Sequence, residues 1–314
     1  MNIRTITGAD VPRIPGIWRA DQPFVPVTVN NFIDKIIFEE NFSPESFFIA
    51  DDDGRIAGFL YCTYRKMPIT GEGNMEKGKA YIIAFCVADR EETKPVGKAL
   101  IEAAEAYMRS KGIERVDTGY FPVYYVQGFE RDLCPEYIAL FREHGYRVSE
   151  ESCSLELLLK DFREDSAIDA LKDRLAEQGI EIRSSLPEDS IGIADPKMPF
   201  SKESWAYEYK TRLRLQHDCE RFKVAVKDGV LIGVSPFGDP NSDMGRFGPF
   251  GVDPNYRGLG IGKVLFQETM KEMKKRGIER AWMQWVEYDG AGFHIYEKCG
   301  FKAKNNFISF EKEL

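Results

Sequence analysis

The two halves of this chain of 314 residues carry related sequence patterns. The tetrapeptide Gly-Ile-Glu-Arg begins at Gly112 and occurs again at Gly277, 165 residues later. The segment Phe-Arg-Glu-His-Gly-Tyr from Phe141 likewise resembles Tyr-Glu-Lys-Cys-Gly-Phe from Tyr296. Because this repeat is far longer than the units of a solenoid, it predicts two consecutive domains of one fold.

Both halves also begin with the same succession of short elements. A strand pattern starts at Ile3 and another at Ile182, and each runs into a helix start. Further along, residues 50–58 and 224–233 each hold an Asp-Gly pair between apolar runs. Such a pair is typical of a β-hairpin turn. The same order of strand, helix and hairpin is therefore expected twice.

A polar segment separates the halves. Within it, Ile168, Leu171 and Leu175 recur at helical spacing, and Gly179 follows as a helix stop. A flexible linker would be richer in Gly, Ser or Pro. We therefore predict a domain over residues 1–160, a connecting helix over 161–178 and a second domain over 179–314.

Residues 250–275 contain the strongest functional motif. A short apolar strand and an Asp-Pro-Asn turn lead to glycines at 258, 260 and 262 and then to a run of helix-forming residues. The first N–H groups of such a helix have no i−4 carbonyl, and the helix dipole adds positive potential. Arg257 can add a bidentate charged contact. The loop predicts a phosphate or pyrophosphate site, the alternative being a glycine turn that only caps a surface helix.

Three phosphate-binding motifs were compared with this loop. A P-loop needs Ser or Thr after its lysine, whereas Lys263 is followed by Val264. A dinucleotide fingerprint needs a third glycine at position 263. The pattern Arg257-x-x-Gly260-x-Gly262 instead resembles Q/R-x-x-G-x-G/A, the pyrophosphate loop of the GNAT superfamily of acyl-CoA-dependent N-acyltransferases.

A second segment strengthens this resemblance, which covers the C-terminal half. Residues 289–301 are similar to the family's helix motif N-x-x-A-x-x-L-Y-x-K-x-G-F, with Tyr296 at the tyrosine position and Gly300-Phe301 at the helix end. The resemblance implies an α/β fold with two tandem GNAT-like domains. Each is expected to have a mixed, mostly antiparallel central sheet flanked by helices.

The resemblance also implies an activity, the direct transfer of an acetyl group from acetyl-CoA to a primary amine. A backbone N–H on a bulged fourth strand would polarise the thioester carbonyl. Tyr296 would protonate the leaving thiolate, unless its hydroxyl is bonded to the backbone. The implied CoA-binding residues are Phe250, Gly251, Val252, Arg257, Gly258, Leu259, Gly260, Ile261, Gly262 and Lys263.

The base that accepts the proton of the amine is not defined by the motifs. Some family members carry a glutamate at the position of Arg246, so that role does not transfer. Glu287, at the end of the fifth predicted strand, is our candidate. Asp243, Asp289 and His294 are alternatives, and a chain of water molecules could also remove the proton.

The first half lacks the chemical features of the second. At the offset of 165 residues, Arg257 corresponds to Glu92 and Gly260 to Pro95. Proline has no N–H to donate, and glutamate places negative charge beside a pyrophosphate. Phe141 stands where the second half has its tyrosine. We therefore expect the first half to share the fold but not to bind acyl-CoA in the usual way.

Composition narrows the remaining classes of function. A net charge of −8 and a pI near 5.2 argue against binding to nucleic acid. The chain has no apolar run long enough to span a membrane and no signal-peptide pattern at its start. Six cysteines and three histidines are scattered, which argues against a metal site or a disulfide framework. We expect a cytoplasmic monomer or weak homodimer with no metal.

Other functions stay open at this point. A non-catalytic acyl-CoA-binding or regulatory module is the main alternative, and Arg246 favours it. A dinucleotide-binding oxidoreductase is a second alternative. The amine acceptor and the length of the acyl chain are not identified by the sequence.

Overall fold

A computed structural model describes residues 1–25, 27–68, 75–121, 124–125, 127–200, 203–216, 218–239, 243–288 and 290–314. The chain forms two compact units, which we call unit 1 (residues 1–152 and 305–314) and unit 2 (residues 153–304). This division differs from the predicted boundaries at residues 153–160 and 305–314. The reason is strand pairing, because each of these segments adds to the sheet or core of the unit it joins.

Unit 1 contains a mixed sheet with helices on both faces. Its strands follow the order β1-β2-β3-β4-β5-β15, antiparallel except for the parallel pair β4–β5. The elements are β1 (Asn2–Thr5), α1 (Ile14–Asp21), α2 (Val29–Phe32), β2 (Phe47–Asp52), β3 (Arg55–Thr63), β4 (Lys79–Val87), α3 (Thr93–Ser110), β5 (Arg115–Thr118), β6 (Tyr120–Phe121), β7 (Tyr124–Tyr125), β8 (Phe129–Glu130), α4 (Pro135–Glu143), β9 (Arg147–Leu158, to Ser152 in this unit) and, from Asn305 on, β15 (Lys302–Glu313).

Alternating side chains of β4 form the two cores of unit 1. Ile82 and Phe85 pack on one face with α3 and α4, while Tyr81 and Ile83 pack on the other with α1 and α2. A strand that is buried on both faces is expected to be apolar throughout, and β4 is. The fold is thus a sheet between two helical layers.

Unit 2 contains an antiparallel four-stranded sheet and a separate antiparallel pair. The sheet follows the order β10-β11-β12-β13, and residues 153–158 of β9 pair with β14. The elements after β9 are α5 (Ile168–Glu177), β10 (Ile180–Ser184), α6 (Ser190–Ala194), α7 (Glu203–Gln216), β11 (Phe222–Lys227), β12 (Val230–Pro236), β13 (Gly251–Val252), α8 (Ile261–Lys275), β14 (Arg280–Val286) and α9 (Ala291–Lys298). The predicted fold class is confirmed in both units.

Helix α5 is the central part of the segment that the sequence predicts as a connecting helix. Its apolar residues Ile168, Leu171 and Leu175 pack with β10 and with the first turns of α8. The helix therefore contributes to the core of unit 2.

The register of the strands repeats at the offset found in the sequence. Two antiparallel or parallel pairs in unit 1 have counterparts in unit 2 whose second and fourth strand positions are 165 residues apart. They are Gly58–Val87 with Gly233–Val252, and Tyr81–Asp117 with Arg246–Trp282. Equivalent positions of the two fourth strands can therefore be compared directly.

None of the helices within the described residues has the length and apolar character needed to cross a membrane.

Candidate functional site

The glycine loop of unit 2 presents backbone N–H groups at the start of α8. Gly258 and Gly260 have φ values of +82° and +90°, a region that favours glycine. Gly260 is the N-cap residue of α8, and no side chain caps the helix there. The N–H groups of the first helical turn therefore have no acceptor within the helix. This is the geometry of an anion site that a side chain has not already filled.

The charges beside the loop differ in how they are used. Arg257 is exposed, and within the described residues its guanidinium group has no ion-pair partner. Lys263, by contrast, forms an ion pair with Asp165. Arg257 is therefore the cation whose charge is available to a ligand in the loop.

Helix α5 supports the loop from behind. A Cβ atom at Gly260 would lie 2.8 Å from Cδ2 of Leu171, which is too close for the side chains to coexist. Ile261, the first residue of α8, is buried in the same apolar cluster. Gly260 is thus required twice, for its backbone conformation and for its contact with α5.

The strand that precedes the loop has one unpaired edge. The Asp253 N–H donates to the Ile232 carbonyl at 2.8 Å, so antiparallel alternation directs the N–H and C=O of Val252 away from β12. Among the described residues no strand pairs with that edge of β13. An extended ligand can therefore add to it as a strand would.

Tyr296, on α9, lies in an aromatic cluster beside that edge. Its ring centroid is 5.5 Å from that of Phe266 and 6.3 Å from those of Phe247 and Phe250. Its hydroxyl makes no hydrogen bond to any residue that the structure describes. Burial raises the pKa of the phenol. The group is therefore a neutral, unpaired proton donor at neutral pH.

The candidate bases differ in their surroundings. Asp243 accepts hydrogen bonds from the Gly245 N–H at 2.7 Å and Trp282 Nε1 at 2.9 Å, which gives it a structural role. Glu287 follows β14 and is exposed, as is His294 on α9. Asp289 lies outside the described residues.

Arg246 is buried, with 8 % of its surface exposed. Its Nη1 atom lies 2.9 Å from Glu208 and 3.3 Å from Asp239. Glu208 also pairs with Arg212 on the same face of α7. Sequence reasoning missed this charged cluster; its only signal is that Tyr209 and Arg212 are spaced as neighbours on one helical face.

Unit 1 has no glycine loop at the equivalent place. Its α3 begins at Thr93, so residues 93–95 form a first helical turn where residues 258–260 form a loop. Glu92, which replaces Arg257, is 3.0 Å from Arg55. The anion site of unit 2 therefore has no counterpart in unit 1.

The free strand edge is also absent from unit 1. Gln22 Nε2 donates to the carbonyl of Phe85 at 2.7 Å, and the N–H of Val87 donates to the Tyr137 hydroxyl at 2.8 Å. Tyr137 in turn donates to Asp21 at 2.8 Å. Phe85 and Val87 occupy the strand positions of Phe250 and Val252. Side chains of unit 1 itself thus occupy the edge that is open in unit 2.

Comparison with known proteins assigns the family. The model of the Acetyltransferase (GNAT) family matches residues 16–121 and again residues 188–301. These two matches cover more than half of the chain, one in each unit. The chain belongs to the GNAT family and carries its fold in tandem.

Curated relatives match only part of their own length. A mycothiol acetyltransferase from Cellulomonas flavigena is 28% identical over 90 residues, which cover 26% of this chain and 26% of that protein. A [ribosomal protein bS18]-alanine N-acetyltransferase from Escherichia coli is 34% identical over 50 residues, 16% of this chain and 34% of that protein. The matches thus span about a quarter to a third of those relatives.

Solved structures match over the whole chain. A tandem GNAT protein from the clavulanic acid biosynthesis pathway has a TM-score of 0.66 at 14% identity and covers 99% of this chain and 98% of its own. A GCN5-related N-acetyltransferase from Sphaerobacter thermophilus has a TM-score of 0.67 at 17% identity, with coverages of 99% and 95%. At these identities the likeness establishes the fold.

Proposed function

We propose that unit 2 transfers an acetyl group from acetyl-CoA to a primary amine. The observation that carries this proposal is the contrast between two equivalent strand edges. In unit 1 the edge is bonded to Gln22 and Tyr137, whereas in unit 2 it is open and leads into the glycine loop. Family membership supplies the chemistry, and the contrast supplies the location.

The binding residues each have a distinct task. Amides from Gly258 to Lys263 bind the pyrophosphate, where the positive end of α8 adds to their attraction. Arg257 contributes a charged contact from the mouth of the loop. The edge formed by Phe250, Gly251 and Val252 holds the extended part of the cosubstrate by backbone hydrogen bonds.

The transfer needs groups that act on three atoms. A backbone N–H of the Phe250–Val252 segment stabilises the negative charge that develops on the carbonyl oxygen. The amine nitrogen bonds to the carbonyl carbon, the C–S bond breaks, and Tyr296 donates its proton to the departing sulfur. Glu287, exposed at the end of β14, takes the proton that the amine loses and passes it to solvent.

A non-catalytic acyl-CoA-binding module is the second candidate. Arg246 favours it, because a buried arginine paired with Glu208 and Asp239 cannot serve as the base that some relatives carry there. The two candidates share the same cosubstrate site and differ only in turnover. A cytoplasmic location and a monomeric or weakly dimeric state stay predictions.

Titration calorimetry and a turnover assay test the proposal together. We expect one CoA to bind per chain, and acetyl-CoA to release free thiol in the presence of a suitable amine from a broad panel. One bound CoA without turnover on any amine would favour the module. Two bound CoA molecules per chain, or none, would overturn the assignment to unit 2.

A further inference from the structure

Two buried arginines of unit 2 have guanidinium nitrogens without hydrogen-bond partners. Arg212, on α7, is 2 % exposed, and Arg221, just before β11, is 1 % exposed. The Nε and Nη1 atoms of Arg212 and all three guanidinium nitrogens of Arg221 lack an acceptor. Burying charged donors without acceptors costs several kcal/mol, so such groups call for an anionic ligand.

Arg212 lies against the strand that leads to the proposed acyl site. Its Nη2 atom donates to the Gly248 carbonyl at 2.8 Å, and the Tyr209 hydroxyl donates to the Pro249 carbonyl at 2.8 Å. These two carbonyls immediately precede Phe250, where the open edge begins. A ligand held by Arg212 would therefore be close to the carbon that is transferred.

Arg221 reaches the same region from the other side. A Cβ atom at Gly238 would lie 2.9 Å from Nη1 of Arg221, and the Gly238 N–H donates to the Arg246 carbonyl at 2.7 Å. Burial, and next the positive charge of Arg212 against the opposing effect of Asp218, lowers the pKa of Arg221. The two guanidinium groups thus belong to one electrostatic cluster.

The charge balance of this cluster indicates which anion fits. Three arginines (212, 221 and 246) face two buried carboxylates, Glu208 and Asp239, which leaves one positive charge over. Asp218 lies 3.5 Å from Nε of Arg221, but it is bonded at 2.6 Å to Arg276, which compensates it. A single carboxylate balances the cluster, whereas a phosphate dianion would exceed it. The planar guanidinium fork also matches a carboxylate.

We propose that the amine acceptor of unit 2 carries a carboxylate near its amine, and that Arg212 and Arg221 bind that carboxylate. The substrate class is then amino acids, or peptides whose free carboxylate lies close to the amine. This inference rests on the proposed acetyltransferase activity and narrows its acceptor. It also gives the two arginines the acceptor that the chain itself does not supply.

Matched substrate pairs test the inference. The twenty amino acids and their primary amides are assayed as acceptors by thiol release, so that each pair differs only at the carboxyl group. We expect kcat/KM to be at least about tenfold higher for an accepted amino acid than for its amide. Equal values for the two members of every accepted pair would overturn the inference while leaving the acetyltransferase activity intact.

The variant Arg221→Met separates recognition from structure, because Arg221 donates no hydrogen bond within the chain. We expect it to bring the amino acid down to the level of its amide, mainly through KM, with an equal or higher Tm. A decrease of the same factor for both members of a pair would contradict the inference. Arg276→Met, a nearby cation with partners of its own, is the control and should leave the ratio unchanged.

A binding readout covers the case in which no acceptor is turned over. Amino acids at millimolar concentration should raise the Tm of the wild-type protein in the presence of CoA, and amides should not. Arg221→Met should abolish the increase. If CoA binds but no amine of either kind is acetylated, the proposed activity fails; if amino acids also leave the Tm unchanged, the carboxylate site fails with it.

Discussion

The fourth strands of the two units have the same place in the fold and opposite surroundings. In unit 1, β4 is followed directly by α3, and its outer edge is bonded to Gln22 and Tyr137. In unit 2, β13 has a free edge and is followed by a loop with two left-handed glycines. A fold can thus keep its core and register while a few polar side chains and one extra helical turn close the site.

The origin of the difference is local. Tyr137 corresponds to Gly292 on the equivalent helix, at the offset of 155 residues that aligns Phe141 with Tyr296. A Cβ atom at Gly292 would already lie 3.4 Å from the Tyr296 ring, so a larger side chain has no room there. One position therefore decides whether the helix closes the strand edge or leaves it open.

The largest expected effect comes from copying the unit 1 sequence into unit 2. Gly260→Pro removes an N–H and cannot adopt the φ of +90°, so we expect no measurable binding of CoA by calorimetry. Pro95→Gly at the equivalent position of unit 1 is the matched control and should leave CoA affinity and stoichiometry unchanged. Retained affinity in Gly260→Pro, with a normal Tm, would show that the loop is not the binding site.

Removal of the Tyr296 hydroxyl should have the next largest effect. Tyr296→Phe is expected to lower kcat by about 100-fold, a typical contribution of a general acid, while CoA affinity stays nearly constant. Because burial raises the pKa of this phenol, the wild-type rate should not fall through loss of its proton below about pH 10. Full activity of the variant would remove Tyr296 from the mechanism.

A change on the closed side of the comparison should affect stability and not activity. Tyr137→Phe leaves the Val87 N–H without its acceptor and Asp21 without a donor. We expect a loss of about 1–3 kcal/mol in the free energy of unfolding of unit 1. Turnover with acetyl-CoA should be unchanged; a large decrease would mean that unit 1 contributes to catalysis.

The smallest effect concerns a feature that both units share. Each begins with an arginine bonded to an aspartate six residues later, Arg4 to Asp10 and Arg183 to Asp189. Hydrogen bonds from Arg4 lower the pKa of Asp10 to about 2. The pair therefore stabilises the folded state above about pH 4, and this contribution is lost as the pH falls toward 2.

Arg4→Gln should destabilise unit 1 by about 1–2 kcal/mol at neutral pH, since part of the pair is exposed to solvent. Thermal unfolding between pH 2 and pH 7 should show the difference from wild type shrinking as the pH decreases. Arg183→Gln should do the same in unit 2. A difference that does not depend on pH would assign the effect to packing of the arginine stem.

Much of this architecture could be predicted from the sequence because its signals are local. Glycines before a helix, an Asp-Gly pair between strands and the spacing of Ile168, Leu171 and Leu175 are each read within a few residues. The repeat then indicated two copies of one fold, and the motifs indicated the family, both of which are confirmed. The roles of Tyr296 and Glu287 stay predictions.

Contacts between residues distant along the chain were decided by the tertiary structure alone. Pairing placed residues 305–314 with unit 1, because an alternating strand pattern does not specify which sheet the strand joins. Packing brought Gln22 and Tyr137 onto the edge of β4, and it left Arg212 and Arg221 buried without acceptors. Sequence determines the local elements, whereas burial and hydrogen bonding between distant segments determine which strand edge stays open to a ligand.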